Sequence, residues 1–274
     1  MGNLSYHEKK VGVIFGFLKQ ILKLSYDFKT RDFIFCWDSK QSYRKLICPD
    51  YKANRQQYAS DEERADSELA FVQFDELREK ILPYMGFVNI FHQTGYESDD
   101  LIAWIVARFP DDTVIVSSDN DLLQLLVDHR FNPVRRWDFK ELIDEAWFTK
   151  NWHGLKPFDW IRVKAIAGCK TDNVIGVKGV AEPSAAKYVA GLLPDGVKKK
   201  SIDDAKDLID FNIPLVGLPF NGRKPIRISG IEKDNISEDK FSLTFGQYGF
   251  RSLLSGEETK KWTNSFFGGQ IGRQ

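Results

Sequence analysis

Cysteine is scarce in this sequence, with three residues among 274. Cys36, Cys48 and Cys169 are too few and too scattered for a disulfide framework or a zinc site. Cys36 and Cys48, in apolar or basic surroundings, read as plain packing residues. No apolar run is long enough to cross a membrane and no signal peptide is apparent, so a cytoplasmic protein with no membrane partner is expected. An excess of either charge is lacking too. Thirty-nine basic residues balance 39 acidic ones, so the total identifies no partner, although a neutral sum can hide segregated patches. What is present is a 42% hydrophobic, 28% charged chain, ample for one large domain or two unequal ones.

Apolar spacing predicts a helix over 11–24, a buried strand in "DFIFCWD" (32–38), a helix over 67–85, a strand in 86–95 and a helix over 99–109. "DTVIVSSDNDLLQLL" (112–126) reads as a strand, an acidic turn and a helix. Strands alternating with helices argue for an α/β fold with a mostly parallel sheet flanked by helices. Asp38, Glu97, Asp99, Asp100, Asp119 and Asp121 then fall at strand ends or at the following helix starts, the edge where such sheets bind ligands. Each acid alone reads most simply as a helix cap. Three strand ends bringing acids to one rim would instead make a pocket that cannot stay ionised without cations. Oxygen donors without histidine or cysteine favour Mg²⁺ or Mn²⁺.

Two further stretches carry chemistry. "SYRKLICPDYKANR" (42–55) interleaves Arg44, Lys45, Lys52 and Arg55 with Tyr43 and Tyr51, a mixture that suits phosphates and exposed bases but also an ordinary solvated loop. "DWIRVKAIAGCKTDNVIGVKGVAEPSAAKYVAGLL" (159–193) reads as helix, glycine-bearing turn and helix, with Gly176 and Gly179 permitting close backbone approach. The second helix start offers backbone N–H groups to an anion, and Lys178 and Lys187 add charge.

"GYESDD" (95–100), "SSDNDLLQLL" (117–126), "YKANR" (51–55) and "IAGCKTDNVIGVKGV" (166–180), in this order of roles and joined by "PLVGLPF" (214–220) and "YGFRSLL" (248–254), resemble the bacterial and bacteriophage 5′–3′ exonuclease and flap endonuclease family. That group is related to the nuclease domain of bacterial DNA polymerase I. The resemblance spans nearly the whole chain. It implies a PIN-like α/β core over 1–147 with a helical arch at about 40–80, a helix–turn–helix DNA-binding region over 148–210, and a segment over 211–274 packed on the core. It implies a phosphodiesterase using two Mg²⁺ or Mn²⁺ ions held by the six acids above together with Asp172. Lys52 and Arg55 would steady the scissile phosphate, and Arg44 and Tyr51 would guide the strand. The helix–turn–helix would grip duplex DNA and hold a K⁺ ion. The partner would be DNA with a 5′ flap or single-stranded 5′ end, RNA–DNA primers included, bound by a monomer.

Three departures from the family pattern bear on activity. The family begins with a strand ending in Asp ahead of the point where Met1 stands, so either the natural chain starts upstream, the favoured expectation, or the sheet is rearranged. An acid three residues before Asp172 is replaced by Cys169, a poor Mg²⁺ ligand. A turn glycine is replaced by Ala181. The alternative reading is a catalytically impaired DNA-junction binding protein of the same fold.

Overall fold

The computed structural model describes residues 4–6, 9–56 and 60–268, the side chains of Arg55 and Gln56 excepted. The chain divides into two compact units, one formed by 1–35, 58–90 and 231–274 and the other by 36–57 and 91–230. The expected consecutive blocks are therefore not the compact units. Residues 211–230 group with the acids, and 231–268 group with the N-terminal helix.

The first unit is helical apart from a hairpin of Ser5–Tyr6 with Lys9–Lys10. Helix Gly12–Phe28 has no side-chain cap of its own. Its exposed N–H at Val13 instead donates to the buried Gln73 Oε1 at 3.0 Å, from helix Asp61–Glu76. That second helix starts earlier than its apolar spacing suggests, because Ser60 accepts from Glu63 N at 3.2 Å and three acids fill the first turn. It runs on through a π turn, Leu77–Ile81, into Leu82–Met85 and stops at Gly86, whose φ of +102° needs glycine. A Cβ at Gly86 would meet Asn235 O at 1.9 Å, so the C-terminal segment packs directly on this backbone. The core is aromatic: Phe33, Phe35, Phe87, Phe241 and Phe266 pack with centroids 5.2–6.4 Å apart, and Trp262 joins at Phe241.

The second unit holds the α/β part. Thr113–Val116 pairs in parallel with Val134–Trp137, which pairs antiparallel with Leu142–Ile143. Phe35–Trp37 pairs separately with Ile90–His92. The fold class stands: a mixed α/β arrangement, with small sheets flanked by helices among the described residues. The strands are short because serines behind them capture backbone donors that a longer ladder would use. Ser39 Oγ accepts from Gln41 N and Gly95 N, and Ser117 Oγ from Asp119 N, each at 3.1 Å. The predicted helix over 120–126 is only a 3₁₀ turn, Asn120–Leu125. Val127 is drawn back into an antiparallel bridge with Val134 and ends it.

Helices Trp160–Ala167 and Glu182–Val189 flank the glycine-bearing turn, and Lys206–Val216 packs on the first of them. Buried Trp160 packs tilted against Trp152 and edge-on against Phe148, with ring centroids 4.5 and 5.7 Å apart. Its Nε1 donates to Asn120 O at 2.7 Å, tying the acidic turn to the core. No described helix is long and apolar enough to cross a membrane.

Candidate metal and nucleic-acid site

The acids approach one another from separate elements of the second unit. Asp38 follows the strand Phe35–Trp37 and its Oδ1 accepts from Ser98 N at 2.7 Å, fixing it at the start of helix Ser98–Arg108. Asp119 caps the 3₁₀ turn by accepting from Asp121 N at 2.8 Å. Between them sits Asp99. Burial first, then the charges of Asp119, Asp38 and Asp121, push its carboxyl from 3.8 up to about 8. Asp121 is likewise raised, by burial against the opposing pull of Lys164. The cap reading and the pocket reading thus both hold for Asp119, since one oxygen caps while the charge still reaches Asp99.

Asp100 parts from the group. It is fully buried, and all its acceptor directions are taken. Oδ1 accepts from Arg44 Nη2 and Phe220 N, both at 2.8 Å, and Oδ2 accepts from Arg44 Nη1 at 2.7 Å and Glu97 N at 3.0 Å. No lone pair remains for an ion, so its expected ligand role is corrected to a structural one. The same contacts correct Arg44. Only 2% exposed, it also donates Nε to Leu215 O at 2.8 Å and lies 4.9 Å from the Phe220 ring, so it has no face to offer a DNA strand. Fork-on-fork pairing with a carboxylate and a stacked ring suits arginine better than lysine.

Tyr51, expected to guide the strand, is equally buried, at 2%. Its hydroxyl lies 3.2 Å from Glu97 Oε2 and 3.1 Å from Asp172 Oδ2, so it orients two acids from inside. Burial and those acids raise its pKa. Lys52 reaches the same place from a left-handed backbone position, φ 57°. Its Nζ is 2.6 Å from Glu97 Oε2 and 4.0 Å from Asp172 Oδ1, and its N–H donates to Asp172 O at 2.8 Å. The Arg55 side chain lies outside the described residues.

At the far side stands a residue the sequence reading overlooked. Lys164 is buried, with Nζ 2.9 Å from Asp121 Oδ1 and 2.8 Å from Glu182 Oε1, the first residue of the second hairpin helix. Its signal was available: a lone lysine inside the apolar run "VKAIA" is costly unless an acid meets it. Asp121, Cys169 and Asp172 bring one donor atom each to within 4.8 Å of one another.

In the turn, Gly176 is explained by internal packing. A Cβ there would meet Ala167 O at 2.1 Å, so its expected contact with DNA has a sufficient structural alternative. Gly179 differs, with φ +76° and open space around it; Lys178 beside it in sequence is exposed, as is Lys187 in the last turn of the helix that follows.

Relatives of known kind share this architecture. Solved structures of 5′-exonuclease from bacteriophage T5 with bound zinc superpose with a TM-score of 0.63 at 24% identity, covering 75% of this chain and 81% of that one. The T5 flap endonuclease in a complex with DNA and metal ions gives 0.62. These establish the fold: a mixed α/β domain of the 5′-exonuclease type. A family model described as "5'-3' exonuclease, N-terminal resolvase-like domain" matches residues 4–153. A 5′–3′ exonuclease of Bacillus subtilis is 31% identical over 211 residues, covering 70% of this chain and 67% of that protein. DNA polymerase I of Bacillus subtilis is 26% identical over 263 residues, of which this chain spans 28%. The chain belongs to the 5′–3′ exonuclease family, nucleases acting on phosphodiester bonds.

Proposed function

We propose that this chain is a divalent-metal-dependent 5′-nuclease that hydrolyses phosphodiester bonds at 5′ ends and flaps of DNA, RNA–DNA primers included. The observation that carries the reading is the convergence of Asp38, from the end of one strand, Asp99, in the first turn of a helix, and Asp119 and Asp121, from the turn after another strand. Carboxylates crowded to that degree are a site for cations rather than a resting surface. The donor set fits Mg²⁺ or Mn²⁺: Asp38, Asp99 and Asp119 offer oxygen only.

Asp38, Asp99, Asp119 and Asp121 would hold the ions, with Glu97 and Asp172 oriented toward them by Tyr51. Two such ions supply a lowered pKa for an attacking water and charge stabilisation on the attacking and leaving oxygens. Lys52 would meet a phosphate as negative charge grows on it, its ammonium exchanging Glu97 for the substrate. Arg55 would assist from the same turn. Lys178, Gly179, Lys187 and the N–H groups at the start of Glu182–Val189 would grip the duplex backbone, with K⁺ in the turn. A cytoplasmic monomer is the simplest carrier of this activity.

A second reading has one observation in its favour. Cys169 stands beside Asp172 and Asp121 where an acid would serve Mg²⁺ better, so the chain could bind DNA junctions without cutting them. Cleavage of a 5′-flap duplex in Mg²⁺ and in Mn²⁺, run beside binding in Ca²⁺, separates the two. Binding without cleavage in either ion overturns the nuclease reading.

A further inference from the structure

The sulfur of Cys169 gives one end of the pocket a chemistry that its oxygen end lacks. Cys169 Sγ and one oxygen each of Asp121 and Asp172 lie within 4.8 Å of one another. Donors about 2.0–2.3 Å from one ion lie at most about 4.6 Å apart, so small side-chain rotations close this triangle onto a single ion. The chain holds this triangle closed. Cys169 and Val174 exchange both backbone hydrogen bonds at 2.9 Å, Asp172 N donates to Cys169 O at 3.3 Å, and Asp172 O accepts from Lys52 N at 2.8 Å. Sulfur and carboxylate are thereby fixed on one short turn.

The charges decide which ion suits it. Asp121 and Asp172 bring two negative charges, but Lys164 lies 2.9 Å from the first and Lys52 4.0 Å from the second. Both ammonium groups are shared, Lys52 with Glu97 and Lys164 with Glu182, yet each acid of the triangle already has a cation beside it before any ion arrives. Mg²⁺ sheds water reluctantly and gains little from such a site. A thiophilic ion gains more, because the thiol releases its proton to solvent on binding and contributes both a negative charge and a polarisable donor. Thr171 Oγ1, 3.1 Å from Sγ, is in place to donate to the resulting thiolate.

We infer that Asp121, Cys169 and Asp172 form a position selective for thiophilic divalent cations such as Co²⁺, Zn²⁺ or Cd²⁺ over Mg²⁺. This rests on the metal-pocket reading above. The pocket then has two unlike positions, an all-oxygen one at Asp38, Asp99 and Asp119 and a sulfur-bearing one beside Lys164.

The test is a Co²⁺ titration of the full chain in excess Mg²⁺, followed by the sulfur-to-cobalt charge-transfer absorption, in the unaltered protein and in Cys169→Ser and Cys169→Asp. The unaltered chain is expected to show a saturable band that excess Mg²⁺ does not erase. Cys169→Ser should lose the band and weaken Cd²⁺ binding by calorimetry at least about tenfold. Cys169→Asp should lose the band but gain Mg²⁺ affinity. An unchanged band in Cys169→Ser, which would assign it to Cys36 or Cys48, overturns the inference. So does displacement of Co²⁺ by Mg²⁺ at comparable concentration, a result that needs no variant to fold. Mn²⁺ binding in the same samples, read by electron paramagnetic resonance in unaltered and Asp99→Asn protein, reports the pocket separately. Mn²⁺ bound through Asp99 without a Cys169-dependent band overturns this inference alone. No Mn²⁺ bound at all overturns the pocket reading and the two-position scheme with it.

Discussion

The two ends of the acid pocket are held in opposite ways. At Asp38, Asp99 and Asp119 the carboxylates face one another with little cationic relief, and Asp99 takes the strain as a pKa near 8. At Glu97, Asp121 and Asp172 the protein provides its own cations: Lys52 at 2.6 Å from Glu97 and Lys164 at 2.9 Å from Asp121. The difference teaches that the charge of one end is met mainly by the chain's own ammonium groups, while the other has only the weaker influence of Lys52.

The sharpest way to break this comparison is at Asp99. Asp99→Ala is expected to abolish flap cleavage while leaving DNA affinity in Ca²⁺ nearly intact, measured by turnover beside fluorescence anisotropy. Turnover that survives would place the essential end elsewhere. Next in size is the clamp beneath the pocket. Arg44→Ala leaves Asp100 buried and unpaired, which should cost about 3–5 kcal/mol in denaturant unfolding. A loss confined to DNA affinity, with stability unchanged, would return Arg44 to the strand-guiding role. Lys52→Ala should lower kcat by about 10²-fold with a smaller change in KM, since its charge acts where negative charge develops. Equal losses in binding and turnover would make it a tether.

Smaller effects test the two ends against each other. Cys169→Asp should reduce the Mg²⁺ concentration for half-maximal cleavage by about tenfold. Identical titration curves would put Cys169 outside the metal shell. The smallest effect is in pH. A carboxyl raised from 3.8 to about 8 favours the folded state fully below its unfolded pKa, and that contribution is lost as pH rises through about 8. Ion-free protein should therefore lose more of its melting temperature between pH 5.5 and pH 8 than Asp99→Asn does, and added Mn²⁺ should narrow the gap. Parallel pH profiles for the two proteins would remove Asp99 from the crowded cluster.

The acids that meet were legible because each follows a short apolar run, and strand ends share a rim whatever the sheet size. Asp38, Asp99, Asp119 and Asp121 could be placed on that ground alone. Arg44, Tyr51 and Asp100 could not. A basic residue next to a tyrosine looks the same in sequence whether it faces solvent or a buried carboxylate. What decides the matter is Leu215 O and Phe220 N, supplied from far along the chain. Helix positions were read well where apolar spacing was long, as over Gly12–Phe28. The 3₁₀ turn at Asn120–Leu125 was misread because the residue that ends it, Val127, is pulled away by Val134. Local propensity carries no trace of such a partner.

The Arg44 clamp also has a consequence for the order in which the molecule comes into being. Its guanidinium joins Asp100, 56 residues on, to the carbonyl of Leu215, 171 residues on, and Phe220 N reaches back 120 residues to the same carboxylate. Contacts this distant in sequence are closed late, after their loop entropy has been met by local structure. On a ribosome, the floor of the pocket therefore waits for residues near 220 to emerge.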